Sequence, residues 1–154
     1  MHEIAVHAEF AAAHALRIAG QVEPLHGHNW RITARITADQ LDHDGLVCDF
    51  HTVHDVLMQI IAPFHNNNLN EVPPFSKGVN PTAELVAQHI ARELHLGLDA
   101  ALAPHARLAS VSVSEAPGCV ATYSASPPAE GQPNELDEPL PVMAPSPDGG
   151  PSHG

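Results

Sequence analysis

Two histidines one residue apart, His26 and His28 in "PLHGHNW", and a third, His14, among small apolar residues in "FAAAHAL", carry the strongest chemical signal in this chain. Neutral imidazole is the commonest protein metal ligand. Residues two apart in a strand point to one side, so His26 and His28 present two rings to one face, with Gly27 letting the backbone pass close by. That is a two-ligand half-site. Zinc takes three protein ligands and an open fourth position for catalysis, or four ligands for a closed structural role. His14 is the candidate third ligand, because an apolar stretch gives a histidine little other employment. Spacing alone leaves a histidine-rich loop with satisfied side chains as an equal alternative. His51, His54, His89, His95 and His105 read as helix-surface or loop residues.

A second constellation lies in "ASVSVSE", where Ala109, Val111, Val113 and Glu115 share one strand face. A carboxylate therefore lands on the apolar side at a strand end. Burying it unpaired is costly, and a planar partner offering two N–H donors, such as an aminopyrimidinone edge, would satisfy it. The alternative is a strand-end glutamate turned to solvent.

Several elements must position these groups. Ile4, Val6, Ala8 and Phe10 alternate along "IAVHAEF", and Trp30, Ile32, Ala34 and Ile36 along "WRITARITA", which predicts two strands. The turn signal "LDHDG" predicts a further strand at "LVCDF". Asp49 is placed to cap a helix over "HTVHDVLMQIIAPF", whose Val53, Val56, Leu57, Ile60 and Ile61 form one apolar stripe. Asn80 and Pro81 fit the cap and first position of a second helix, and Gly97 its end. "RLASVSVSE" and "CVATY" return to strand. The pattern is α+β, with two helices on one face of an antiparallel sheet.

Composition bounds the rest. The chain has 154 residues, six Lys and Arg, eighteen Asp and Glu, thirteen histidines and a formal charge of −12. A domain of this length can bury roughly two-thirds of the surface its unfolded chain exposes. Hydrophobic residues make up 44% but aromatics only 4%, so the expected core is built from Ala, Leu, Val and Ile. Six cations argue against a nucleic-acid or anionic-membrane surface. Cys48 and Cys119 cannot build a disulfide framework, and "MHEIAVHAEF" lacks the basic start and apolar run of a signal peptide, so a soluble, cytoplasmic protein is expected. From residue 127 the chain holds eight Pro, four Gly, five acids and no Lys or Arg. Residues 1–126 are read as one domain and 127–154 as a disordered acidic tail.

Taken together, "FAAAHAL", "PLHGHNW", "VNPTAELVA" and "VSVSEAPGCVATY" resemble the 6-pyruvoyl-tetrahydropterin synthase and 6-carboxy-tetrahydropterin synthase family over nearly all of residues 1–125. The resemblance implies the tunnelling fold, a four-stranded antiparallel sheet with two helices on one side. It also implies subunits joined as trimers or hexamers, with active sites between them. The family's zinc ligands fall on His14, His26 and His28, its pterin-anchoring glutamate on Glu115, and a position near the pterin on Thr82. The implied substrate is 7,8-dihydroneopterin triphosphate, with zinc chelating its side-chain hydroxyls so that a proton can be removed from the adjacent carbon.

The proton-transfer positions depart from the family. The usual cysteine position is Val22, and in "FHNNNLNE" the usual aspartate and histidine positions are His65 and Asn66. Glu23 and His65 are the candidates to move protons instead. Adjacent strand residues point oppositely, so Glu23 can serve only if its segment is irregular. Three functions follow from the resemblance. The leading one is a zinc-dependent lyase of the 6-carboxy-tetrahydropterin synthase type, on the route to 7-deazapurines such as queuosine. The second cleaves the dihydroneopterin side chain to 6-hydroxymethyl-dihydropterin, the folate route, with Glu23 as base. The third is a non-catalytic zinc- and pterin-binding paralogue. Lys77, Arg17 and Arg31 are candidates to receive the triphosphate, and spacing does not choose among them.

Overall fold

A computed structural model describes residues 1–102, 104–127 and 129–144. Two long strands, β1 (His2–His14) and β4 (His26–Ala38), pair antiparallel along their whole length. Between them lies a small hairpin of β2 (Arg17–Ile18) and β3 (Gln21–Val22). Its turn residues Ala19 and Gly20 have φ of 49° and 78°, the two left-handed positions of a type I′ turn. After α1 (Phe50–Ile61), a two-residue strand β5 (Asn67–Asn68) runs parallel to β1. Then come α2 (Ala83–Leu102), β6 (Ala106–Ala116) and β7 (Cys119–Ser124). The sheet order is β5-β1-β4-β6-β7. The four expected antiparallel strands are thus present, and β5 adds a fifth.

Both helices pack on one face. Trp30, Ile32, Ala34 and Ile36 are completely buried there, as are Val111 and Val113 of β6. From the helices come Val53, Leu57 and Ile61, and Val86, Ile90, Leu94 and Leu98. The opposite face is polar and carries cross-strand pairs, Glu9–Arg31 at 2.7 Å and Glu3–Arg35 at 2.8 Å. Among the described residues no helix is long and apolar enough to cross a membrane.

Four local expectations are corrected. "LVCDF" forms no strand: Asp42 Oδ1 accepts from the backbone N–H groups of Asp44 and Leu46, and these local bonds replace a ladder. Asn80 does not cap α2. That place belongs to Thr82, whose Oγ1 accepts from Leu85 N–H at 3.2 Å. Gly97 does not end α2, which continues to Leu102; a Cβ there would lie 2.8 Å from Val56 Cγ1, so the glycine lets α1 and α2 approach. Gly27, finally, is not required for close passage, since a Cβ would meet only Ala12 O at 3.9 Å. The first helix starts as expected, with Asp49 Oδ1 accepting from His51 N–H at 2.8 Å.

The segment after β7 also departs from the expected disordered tail as far as it is described. A 3₁₀ turn at Glu135–Asp137 buries Leu136, and Leu140 is buried further on. Asn134 Nδ2 meets His95 Nε2 at 3.3 Å, and Met143 N–H donates to Gly78 O at 2.8 Å. Two leucines and these bonds offset the ordering entropy that composition alone weighed against the segment. Residue 128 and residues 145–154, the rest of the expected tail, lie outside the described residues. In Leu136→Ala the anchored segment is expected to release. Hydrogen exchange at the Met143 amide should then rise to that of an unprotected chain while Ile32 and Ala34 stay protected; an unchanged Met143 amide would contradict the docking.

Candidate metal and pterin site

The β1–β4 ladder builds the site at its open end. His14 pairs directly with His26, and Ala12 with His28, so the three histidines lie on adjoining positions of one face. One ring nitrogen from each lies within 4.8 Å of the other two. The rings meet edge to face, His14–His26 at 4.7 Å, His14–His28 at 5.1 Å and His26–His28 at 4.8 Å between centroids. Trp30 supports His14 from below at 4.8 Å, itself stacked on Phe10 at 5.7 Å and donating from Nε1 to Ala12 O.

Backbone carbonyls set two tautomers. Pro81 O lies 2.8 Å from His14 Nδ1 and Pro24 O lies 2.9 Å from His26 Nδ1. A carbonyl can only accept, so each Nδ1 carries the proton and each Nε2 keeps a free lone pair, as a metal ligand requires. Burial lowers the His14 pKa below the ordinary imidazole value, outweighing the Pro81 hydrogen bond and the Glu115 charge. Burial thus favours the neutral ring.

Three buried polar atoms at this end have no hydrogen-bond partner: His14 Nε2, His28 Nε2 and Glu115 Oε2. Leaving such atoms unmet costs free energy. A cation fits the two lone pairs, and three imidazoles are a donor set suited to zinc. Glu115 reaches the site from β6, its Oε2 at 3.5 Å from His14 Nε2 and its side chain 27% exposed. The strand-face argument from Val111 and Val113 is thus supported for position, and the carboxylate stays open on one side.

Glu23 stands on the other flank. Residues 23–25 are irregular, Glu23 N–H donates to Leu16 O at 2.9 Å, and its Oε1 accepts from Leu16 N–H at 3.1 Å. The same oxygen lies 3.7 Å from His26 Nε2. Val22, its neighbour, is 67% exposed. His65 is not brought to the cluster. Its Nδ1 accepts from Ala11 N–H at 3.2 Å at the sheet edge. Asn66–Asn68 instead line, with Ala11–Ala13 and Gly27–Asn29, an open groove of about 540 Å³ that includes His28. Cys48 has its thiol pKa raised, first by burial and then by Asp49 and Asp42, and so does not supply a ready thiolate.

Sequence reasoning missed the supports. Asn70 bonds both backbone groups of Ala15, and Asn80 both of Arg17, clamping the chain as it leaves His14. The only available signal was the asparagine density of "NNNLNE" and "VNP".

A strand ladder carrying three convergent histidines, with two helices on one side of the sheet and a glutamate at the rim, defines a small α+β domain with a site that could hold a metal ion. The chain belongs to the 6-pyruvoyl tetrahydropterin synthase family, whose model matches residues 3–126. It is 28% identical over 91 residues, 59% of its own length and 74% of the relative's, to an Archaeoglobus fulgidus protein named "Putative 6-carboxy-5,6,7,8-tetrahydropterin synthase". Its fold is similar to that of Caenorhabditis elegans 6-pyruvoyl tetrahydropterin synthase, with a TM-score of 0.67 at 20% identity, covering 80% of this chain and 95% of that one. A Plasmodium vivax 6-pyruvoyltetrahydropterin synthase described as an E-to-A catalytic residue mutant gives 0.67 at 18% identity, covering 79% and 96%. These likenesses bear out the tunnelling fold.

His14→Ala, His26→Ala and His28→Ala are each expected to abolish stoichiometric zinc after dialysis, measured by elemental mass spectrometry. Glu115→Gln should retain it. Full zinc in any of the histidine variants would contradict a three-histidine site.

Proposed function

We propose that the protein is a zinc-dependent lyase acting on 7,8-dihydroneopterin triphosphate, of the 6-carboxy-tetrahydropterin synthase type that serves 7-deazapurine synthesis. One observation carries this reading: three unsatisfied polar atoms, His14 Nε2, His28 Nε2 and Glu115 Oε2, face one site. His14, His26 and His28 would hold the metal. When bound, zinc supplies Lewis-acid polarisation of the substrate's side-chain oxygens. Glu115 Oε2 accepts from the N–H edge of the pterin ring, and Thr82, at the start of α2, borders the ring.

Glu23 performs the proton transfer in this account. The irregular stretch at 23–25 satisfies the condition that alternation imposed, and the carboxylate sits beside His26 rather than turning away with Val22. His65, on the sheet edge, contributes only if a second subunit brings another copy of the site to it. Among the described residues two edges are open to such a partner: β7, and β1 outside the two residues paired with β5. A trimer or hexamer with sites between subunits, in the cytoplasm, completes the proposal.

The placement of Glu23 also favours a second reading, side-chain cleavage to 6-hydroxymethyl-dihydropterin. The Plasmodium vivax protein, in which a glutamate is described as a catalytic residue, supports by analogy a glutamate in the catalytic role, not the product. Zinc-loaded protein incubated with dihydroneopterin triphosphate separates the readings by mass spectrometry. Carboxy-tetrahydropterin with acetaldehyde is expected for the first, hydroxymethyl-dihydropterin for the second. Binding without turnover would mark a non-catalytic zinc and pterin carrier and overturn both. Glu23→Gln should lower turnover by about 10² to 10⁴ while keeping zinc, the usual worth of a general base; unchanged turnover would remove Glu23 from the mechanism.

A further inference from the structure

The cations of this acidic chain are unevenly employed. Arg31 and Arg35 are paired with Glu9 and Glu3, and Arg17 Nη1 contacts Ala144 O at 3.5 Å. Arg107 apart, Lys77 and Arg92 are the cations with neither a carboxylate within 4.0 Å nor a side-chain hydrogen bond among the described residues. Both line one cleft of about 320 Å³. One wall is the 3₁₀ turn Phe75–Lys77 with Pro74, a second is the His89, Arg92 and Glu93 face of α2, and the third is the docked segment through Pro139, Leu140 and Val142. Arg92 Nε is buried with no hydrogen-bond partner.

A guanidinium N–H removed from water and left unmet is costly, and an oxyanion offers the acceptors that a planar guanidinium fork fits best. Lys77 adds a second positive charge at the same cleft. We propose that this cleft is a binding site for a small phosphate-class oxyanion, separate from the metal site. None of its lining residues belongs to the histidine cluster, to Glu23 or to Glu115. His89 is compatible with such a ligand: its ring lies between Phe64 at 5.7 Å and Phe75 at 5.9 Å. Burial, and then Arg92, push its pKa down to about 4, so at neutral pH it adds no charge and can donate one N–H. Glu93 is the one carboxylate lining the cleft and works against the anion. The site therefore needs both cations, and its affinity has a definite sign of response to each charged residue.

The test is a titration of the full chain with inorganic phosphate at constant ionic strength, followed by amide chemical shifts. Saturable shifts are expected at Lys77, Gly78 and residues 89–93, and not at His14, His26 or His28. Lys77→Gln and Arg92→Gln should each weaken binding by about tenfold or more, as loss of a charge-assisted hydrogen bond does, while Glu93→Gln should tighten it. Zinc content should be unchanged in all three variants, which separates this result from any failure of the metal-site reading. A parallel titration with phenyl phosphate identifies the source: equal or tighter binding indicates a phosphate ester, weaker binding the free ion. Shifts that chloride reproduces, or phosphate affinity unaltered in Lys77→Gln and Arg92→Gln variants that keep the wild-type amide spectrum, would overturn the proposal.

Discussion

The antiparallel register of β1 and β4 is the constraint on which the site depends. It sets His14 opposite His26 and places His28 opposite Ala12, two residues along on the same face. A one-residue slip would turn one strand's side chains to the other face and separate His14 from the pair. The same register seats Phe10 against Trp30, and it is the burial of those rings with Ile32, Ala34 and Ile36 that holds it. The same register thus both packs the core and gathers the three histidines.

Polar supports then refine what the ladder has gathered. Pro81 and Pro24 carbonyls orient two imidazoles, and Asn70 and Asn80 fix the backbone that leaves His14. Pro24, Asn80 and Pro81 make these short contacts from irregular stretches, and Asn70 from the 3₁₀ turn Leu69–Glu71. The two carboxylates come from opposite sides, Glu115 from β6 and Glu23 from the stretch that follows the β2–β3 hairpin. The hairpin matters because its type I′ turn returns the chain at Glu23 to Leu16, beside the end of β1.

Much of this was legible in the sequence where periodicity and burial coincide. Alternation along β1 and β4 marked the buried face, the H-x-H spacing marked a shared side, and Asp49 marked the start of α1. What failed were single-residue signals whose tertiary use differs from their local one. Asn80 has the chemistry of a cap but spends its amide on Arg17; Gly97 has the look of a helix stop but serves helix–helix approach. The docked segment was missed because proline and acid content hid two leucines that find pockets, and sequence carries no measure of where such pockets lie. His65 matched a family position, yet its contact with Ala11 at the sheet edge depends on the path of the chain after α1, which no local pattern encodes.

The central claim is that the β1–β4 ladder forms a three-imidazole metal site with one position left for substrate. X-ray absorption spectroscopy of the zinc-loaded protein tests it most directly. The expected result is three imidazole nitrogens at about 2.0–2.1 Å with a further light-atom ligand. A sulfur ligand near about 2.3 Å, or fewer than three imidazoles, would contradict it.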